Sequence, residues 1–153
     1  MYNMISKYIM SLSILLLLPG CFGEQKKEGL FVINVLDADY FNDCHIKDSI
    51  NVSVDGLDKF VANLDKDKSE LVIYCSNYMC TASGFGAKKL QDMGFSNVWA
   101  YEAGMAEWHQ KGLPVEGKCT KPYLKKIIDK KELEESSKIR IISTDELARK
   151  MKL

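Results

Sequence analysis

Two cysteines occupy positions where thiol chemistry is readily arranged: Cys75 ends the apolar run "ELVIYC", and Cys80 ends the loop "SNYMC" that follows it. In a parallel α/β sheet, ligands bind outside the carboxyl ends of the strands, where loops turn into helices. If a helix begins near Cys80, the backbone N–H groups of loop 76–80 and the positive end of the helix dipole converge on that strand end. Both favour thiolate over thiol, so the expectation is a Cys75 of lowered pKa acting as a nucleophile. Position alone suits equally well a Cys75 that is a small buried hydrophobe closing a strand.

Cys80 widens the repertoire. A thiol in the first helical turn can attack a sulfur species carried by Cys75, or trap a sulfenate there, leaving a Cys75–Cys80 disulfide. The geometric condition is an approach of the two Cα atoms to within about 7 Å. The plain alternative is a helix-start residue packed inward. Ser76, Asn77, Tyr78, Met79 and Thr81 are the loop residues expected at the mouth of the site. Tyr78 and Met79 give it a partly apolar entrance suited to a thiol, although an exposed turn explains them too. A phosphatase or arsenate-reductase loop would need an arginine where Thr81 stands, so oxyanion stabilisation would fall on backbone amides alone, and that chemistry is set aside.

The remaining side chains exclude more than they suggest. Lys plus Arg and Asp plus Glu both number 21, so no basic field exists to attract nucleic acid. The spacing C-x30-C-x4-C-x38-C across Cys44, Cys75, Cys80 and Cys119 fits no zinc site, and His45 beside Cys44 is a weak metal signal. No metal or cofactor is expected. Four cysteines allow three complete pairings, among which the sequence does not choose.

The elements that position these residues alternate. Buried strands are expected at "LFVINV" (30–35), "SINVSV" (49–54), "ELVIYC" (70–75) and "NVWAY" (97–101). Between them, Leu57, Phe60, Val61 and Leu64 fall at helical spacing behind Asp55 as cap; Ala82, Phe85, Leu90 and Met93 form the stripe of a helix stopped by Gly94. A short helix, 104–112, is closed by Gly112, and Trp99, Tyr101 and Trp108 are read as packing residues. Such alternation predicts an α/β domain with a mainly parallel sheet covered on both faces. After 117, Tyr123, Leu124, Ile127 and Ile128 suggest a surface helix and linker over 118–138, before a last strand and helix in 139–153 with Ser143 and Glu146 at capping-box spacing and Ile142 and Leu147 as a hydrophobic staple.

Residues 1–20 have the layout of an export signal, and "LPGC" resembles a bacterial lipobox, which implies cleavage before Cys21 and lipidation of its thiol. The expectation is a bacterial periplasmic protein held to a membrane by that lipid, the outer membrane being favoured by Phe22, with a tether over 21–29. Its thiols would then meet an oxidising compartment.

The stretches "VINVLDADYFNDCHIKDSINV", "LVIYCSNYMCTAS" and "LQDMGFSNVWAYEAGMAEWHQKGLPVEG" together resemble the rhodanese-like domain, over residues 31–117. The resemblance implies a sulfurtransferase in which Cys75 takes sulfane sulfur as a persulfide from a small donor (thiosulfate, polysulfide or persulfide) and hands it to a thiol or another nucleophile, with Cys80 as resolving cysteine. It leaves open a thiol–disulfide protein using the same pair, or a non-catalytic binding module. Three departures stand out: Asn34-Val35-Leu36 replaces the family's frequent Asp-Val-Arg, Cys80 replaces the arginine that often ends the active loop, and Cys44 replaces the glycine before His45. A bidentate anion clamp is thereby lost. His45 is expected to be structural rather than a base. The family commonly opens with a short strand and a helix reading like "ISxxEL", missing here before "LFVINV", whereas "IISTDELARKM" near the C-terminus resembles it. A circular permutation, in which this last piece completes the sheet, follows as the expectation; a truncated tandem repeat is the rival.

Overall fold

The computed structural model describes residues 26–126 and 139–153. Its elements in chain order are β1 (Lys27–Asn34), α1 (Ala38–Asp43), β2 (Cys44–Ile46), β3 (Ile50–Asn51), α2 (Leu57–Phe60), β4 (Leu64–Tyr74), α3 (Ala82–Asp92), β5 (Asn97–Tyr101), α4 (Gly104–Gln110), β6 (Val115–Gly117) and α5 (Thr144–Lys150). A parallel sheet of order β3-β1-β4-β5 forms the centre, in register Val32 to Val72 to Trp99 and Ile33 to Ile73 to Ala100. A fifth position exists only as a bridge, where Ile141 lies parallel to Ala100.

Period-two alternation sorts the sheet residues between two cores. Ile33, Leu71, Ile73, Val98 and Ala100 face α2 and α3, packing on Leu57, Val61, Ala87 and Leu90. Val32, Val72, Tyr74 and Tyr101 face the opposite side, where Met105 and Trp108 of α4, Leu124, Ile142 and Leu147 of α5 cover them. Tyr101 and Trp108 meet edge to face and are fully buried, as packing residues should be.

Several boundaries differ from expectation for local reasons. β1 begins inside the predicted tether, at Lys27, because β4 reaches back to pair with it at Leu64. The second strand shrinks to Ile50–Asn51, since Ser53 accepts a hydrogen bond from the Gly56 N–H and caps a 3₁₀ turn; Asp55 lies inside that turn, and Gly56, not Asp55, stands at the N-cap of α2. Phe85 is 68% exposed rather than in the apolar stripe, because α3 starts at Ala82 and turns Ser83, Gly86, Ala87 and Leu90 inward. The predicted helix over 118–138 is a single 3₁₀ turn, Pro122–Lys125, among the described residues; Ile127, Ile128 and the rest of that linker, like the signal and Cys21, lie outside them.

At the C-terminus the capping box forms as read, with Ser143 accepting from the Glu146 N–H and Glu146 accepting from the Ser143 N–H. The Ala100 N–H donates to the Arg140 carbonyl and the Ile142 N–H to the Ala100 carbonyl, so this segment lies along the open edge of β5. A small antiparallel arm, β2 with β6, is closed by a Cys44–Cys119 disulfide, the pairing that the sequence left open.

Candidate functional site

β4 ends at Tyr74, and Cys75 follows it at the carboxyl edge of the sheet. Continued alternation from Leu71 and Ile73 sends the Cys75 side chain to the α3 face, where the residue is fully buried. Its Sγ donates to the Cys80 carbonyl at 3.1 Å and lies 3.4 Å from the buried Ser83 Oγ. The hydrogen bond with Cys80, reinforced by burial, pushes the Cys75 thiol well above its ordinary range. That direction is opposite to the one expected for Cys75, and its causes are the contact with Cys80 and burial.

The neighbouring sulfur is shifted the other way. Cys80 is half-buried, and its pKa is pushed down to about 5 by the Cys75 thiol beside it and then by the N–H groups of Ala82 and Ser76, against the cost of burial. The loop does not form the amide cradle predicted for Cys75, where, among backbone amides, the Ser83 N–H alone favours the thiolate. The reason lies in the loop: Cys80 N–H donates to the Asn77 carbonyl at 2.9 Å and Met79 N–H to Asn77 Oδ1 at 3.0 Å, so neither amide is turned towards Cys75. Cys75 and Cys80 are both free thiols, brought together as expected.

The mouth residues divide. Ser76 helps to hold Cys80, Met79 stands 74% exposed, and Thr81 is exposed at the helix start. Asn77, expected at the mouth, is buried and serves the loop's own backbone, a correction explained by the turn just described. Tyr78 donates to Glu107 Oε2 at 2.9 Å and forms one wall of a cleft of about 710 Å³ between α4 and residues 141–146.

Three further residues escaped sequence reasoning. Gly104, at φ 63°, brings the start of α4 so close that a Cβ there would stand 2.7 Å from the Cys75 carbonyl oxygen and 2.8 Å from the Asn77 nitrogen. This approach lets Met105 N–H donate to the Cys75 carbonyl (3.0 Å) and Ala106 N–H to the Ser76 carbonyl (2.9 Å). Ser83 faces Cys75 from α3, and Glu107 gathers Tyr78, Thr144 and Lys111. The glycine in "EAGMAEW" was a visible signal of a tight turn; Ser83 and Glu107 carried none.

The family departures acquire local explanations. Asn34 is buried at the end of β1, where its Oδ1 accepts from the Leu36 N–H at 2.9 Å and Asn51 Nδ2 donates to the Leu36 carbonyl at 2.8 Å, so amides hold this turn in place of an ion pair. Cys44 is spent in the disulfide. His45 stacks on Phe41 and bonds the Phe41 carbonyl at 2.8 Å, a structural role as expected. Among the described residues no group of His, Cys, Asp and Glu is arranged to hold a metal ion.

Comparison with known proteins agrees with this geometry. Thiosulfate sulfurtransferase GlpE of Pseudomonas savastanoi is 32% identical over 83 residues, spanning 54% of this chain and 76% of that protein; its counterpart in Shewanella oneidensis is 29% identical over 79 residues, spanning 52% and 75%. A crystal structure of a Bacillus halodurans protein superposes with a TM-score of 0.54 at 27% identity, covering 60% of this chain and 66% of that one. The rhodanese-like domain of an Anabaena protein superposes at 0.52 with 23% identity, covering 59% of this chain and 94% of that one, a likeness of fold. The rhodanese-like domain family itself matches residues 22–111, and with its parallel sheet and strand-end cysteine loop this chain belongs to that family.

Proposed function

We propose that the chain is a sulfurtransferase that carries sulfane sulfur as a persulfide on the Cys75–Cys80 pair, taking it from thiosulfate, a polysulfide or a persulfide and delivering it to a thiol. The observation that carries this reading is the pairing of two free thiols at the carboxyl end of a rhodanese-type sheet, one of them favoured as a thiolate by its neighbour's thiol and then by the Ala82 and Ser76 N–H groups. A thiolate attacks the outer sulfur of the donor, the S–S electron pair leaves with the remainder (sulfite, for thiosulfate), and the protein keeps one extra sulfur atom. Attack by an acceptor thiolate on that atom regenerates the thiolate. Lipid attachment at Cys21 and a periplasmic setting belong to the same proposal, supported by "LPGC" and by the Cys44–Cys119 disulfide, a bond favoured in oxidising compartments.

The adjacency of the two free thiols favours a second reading, a thiol–disulfide protein that uses the pair without sulfane sulfur. Mass spectrometry of the dithiol form after thiosulfate or polysulfide treatment separates them. One added sulfur atom per chain, discharged by an acceptor thiol, supports transfer; loss of two hydrogens with no sulfur ever bound at Cys75 or Cys80 supports the redox reading and defeats the first.

A further inference from the structure

Resting on the sulfurtransferase reading, the geometry points to Ser83 as a positioning residue of that reaction: its hydroxyl and backbone N–H steady the Cys75 sulfur as it attacks the donor and again as it leaves at delivery. Three observations carry this.

The first is placement. α3 turns Ser83, Gly86, Ala87 and Leu90 towards the sheet, and of the four only Ser83 carries a polar side chain. Ser83 and Cys75 are both fully buried, with 3.4 Å between Oγ and Sγ. Packing alone asks for no hydroxyl there, since glycine and alanine fill the next positions of the stripe. The second is the lack of a rival partner. Among the described residues the Ser83 hydroxyl meets no hydrogen-bonding atom but the Cys75 sulfur. The carbonyl of Cys80, three residues back, is of the kind a helical serine otherwise bonds, and it is engaged by the Cys75 thiol at 3.1 Å. A hydroxyl hydrogen rotates, so once the Cys75 proton has gone Ser83 turns from acceptor to donor. The third is the helix start. Ser83 lies in the first turn of α3, where N–H groups have no partner within the helix, and Thr81 supplies no side-chain cap. The Ser83 N–H faces Cys75: contact with Cys80 and then burial push that thiol up, and the Ser83 hydroxyl and N–H pull against them.

The steps balance. The Cys75 proton passes to the adjoining Cys80 thiolate, and Cys75–S⁻ attacks the outer sulfur of thiosulfate. Cys75–S–S⁻ forms as the donor's S–S bond breaks and its electron pair leaves on sulfite. An acceptor thiolate then attacks the outer sulfur, and the electron pair of the persulfide bond returns to Cys75, restoring Cys75–S⁻. Negative charge is therefore gathered on Cys75 Sγ at the start of loading and at the end of delivery, the two moments at which a hydroxyl and an amide aimed at it act. The Cys80 carbonyl accepts hydrogen bonds only and opposes that charge, so Ser83 is the residue that offsets it.

The test uses the full chain with Cys44–Cys119 intact and Cys75 and Cys80 reduced, and follows Cys75 by fragment-ion mapping. Cys75 is buried, so ratios to the parent are read rather than absolute rates. Ser83→Ala should alkylate Cys75 at least ~10-fold more slowly with iodoacetamide, its pH profile displaced upward by about one unit, and should load sulfur from thiosulfate or polysulfide onto Cys75 more slowly by the same factor. Ser83→Thr, which keeps the hydroxyl, should stay within ~3-fold of the parent. Ser83→Ala should also melt within ~2 °C of the parent, having lost a hydroxyl and no packing. An unchanged pH profile at Cys75, or one that moves only together with a melting point lowered by more than ~5 °C, overturns the positioning role while leaving sulfur transfer standing. A parent that never binds sulfur on either cysteine, while Ser83→Ala still slows alkylation of Cys75, overturns the transfer reading and leaves Ser83 tuning the thiol of a redox pair.

Discussion

Replacing Gly104 by alanine tests whether α4 braces the cysteine loop. Its added Cβ would stand 2.7 Å from the Cys75 carbonyl oxygen, 2.8 Å from the Asn77 nitrogen and 2.8 Å from the Ser76 carbonyl carbon. All three are backbone atoms, so no side chain can swing aside; either the loop or the helix start must move. A φ of 63° adds about 1 kcal/mol for a residue with a Cβ. Separation loosens the Met105 and Ala106 hydrogen bonds to the Cys75 and Ser76 carbonyls, worth about 1 kcal/mol each, and the residual crowding adds about 1–3 kcal/mol. The expected loss is about 4–6 kcal/mol, or a Tm lower by about 10 °C or more in a domain of this size. Because Ser76 N–H helps to hold the Cys80 charge, the pH midpoint for alkylating Cys80 should rise from about 5 in the same variant. Calorimetry and a pH series of iodoacetamide labelling measure the two effects. A variant melting within ~2 °C of the parent with the same alkylation midpoint would refute the bracing argument.

We propose that residues 139–153 complete this domain as a circular permutation of the family fold. Leu147→Ala, at a fully buried position, should then cost the whole domain about 2–4 kcal/mol in urea denaturation, whereas a loss below ~1 kcal/mol would mean that α5 frays independently of the sheet. Replacing both Cys44 and Cys119 by alanine should cost about 4 kcal/mol on chain-entropy grounds, given a separation of 75 residues; an unchanged denaturation midpoint would count against the disulfide as a staple. Stability should also follow the thiol pair. With Cys80 lowered from 9.0 to about 5, its contribution is complete above about pH 9 and lost as pH falls through 5; Cys75, shifted upward, contributes below the pH at which the unfolded thiol ionises and loses that contribution in alkali. After allowance for the solvent reaching Cys80, the parent should gain about 1–2 kcal/mol over Cys80→Ser between pH 5.5 and 8.5, and parallel pH profiles would refute the charge assignment.

Much of the scaffold is legible because it rests on local pattern. "LVIY" and "NVWAY" are apolar runs bounded by turn residues, and both are strands; Ser143 with Glu146 is a capping box by spacing and by hydrogen bond. The site was half legible. The cysteines were found at the correct strand end, whereas the opposite directions of their two pKa shifts were not foreseen, although a hint of the burial of Cys75 lay in its alternation with Leu71 and Ile73 towards α3. What decided the matter was the Asn77 turn, which consumes two loop amides, and no propensity announces it. The β2–β6 arm is equally silent, since "CHI" and "VEG" are too short to carry a period, and the disulfide that closes it links Cys44 to Cys119, two residues past β6, across 75 positions.

The C-terminal segment also reaches the cysteine loop through one carboxylate. Tyr101 OH donates to Thr144 Oγ1 at 2.8 Å, Thr144 donates to Glu107 Oε1 at 2.5 Å, and Tyr78 donates to the other oxygen, Oε2, at 2.9 Å. Burial alone would raise the Glu107 pKa, yet the hydroxyls of Thr144 and Tyr78 hold it below its ordinary value, so an anion is the stable form at this junction. Lys111, 3.6 Å away, adds to both hydroxyls in holding this part-buried carboxylate, and loss of any partner weakens it. Tyr78 belongs to the loop between Cys75 and Cys80, and Thr144 is the first residue of α5. Docking of α5 therefore does more than cover Val32 and Val72: it supplies one of the partners that let Glu107 hold Tyr78, and with it the wall between the cysteine loop and the neighbouring cleft.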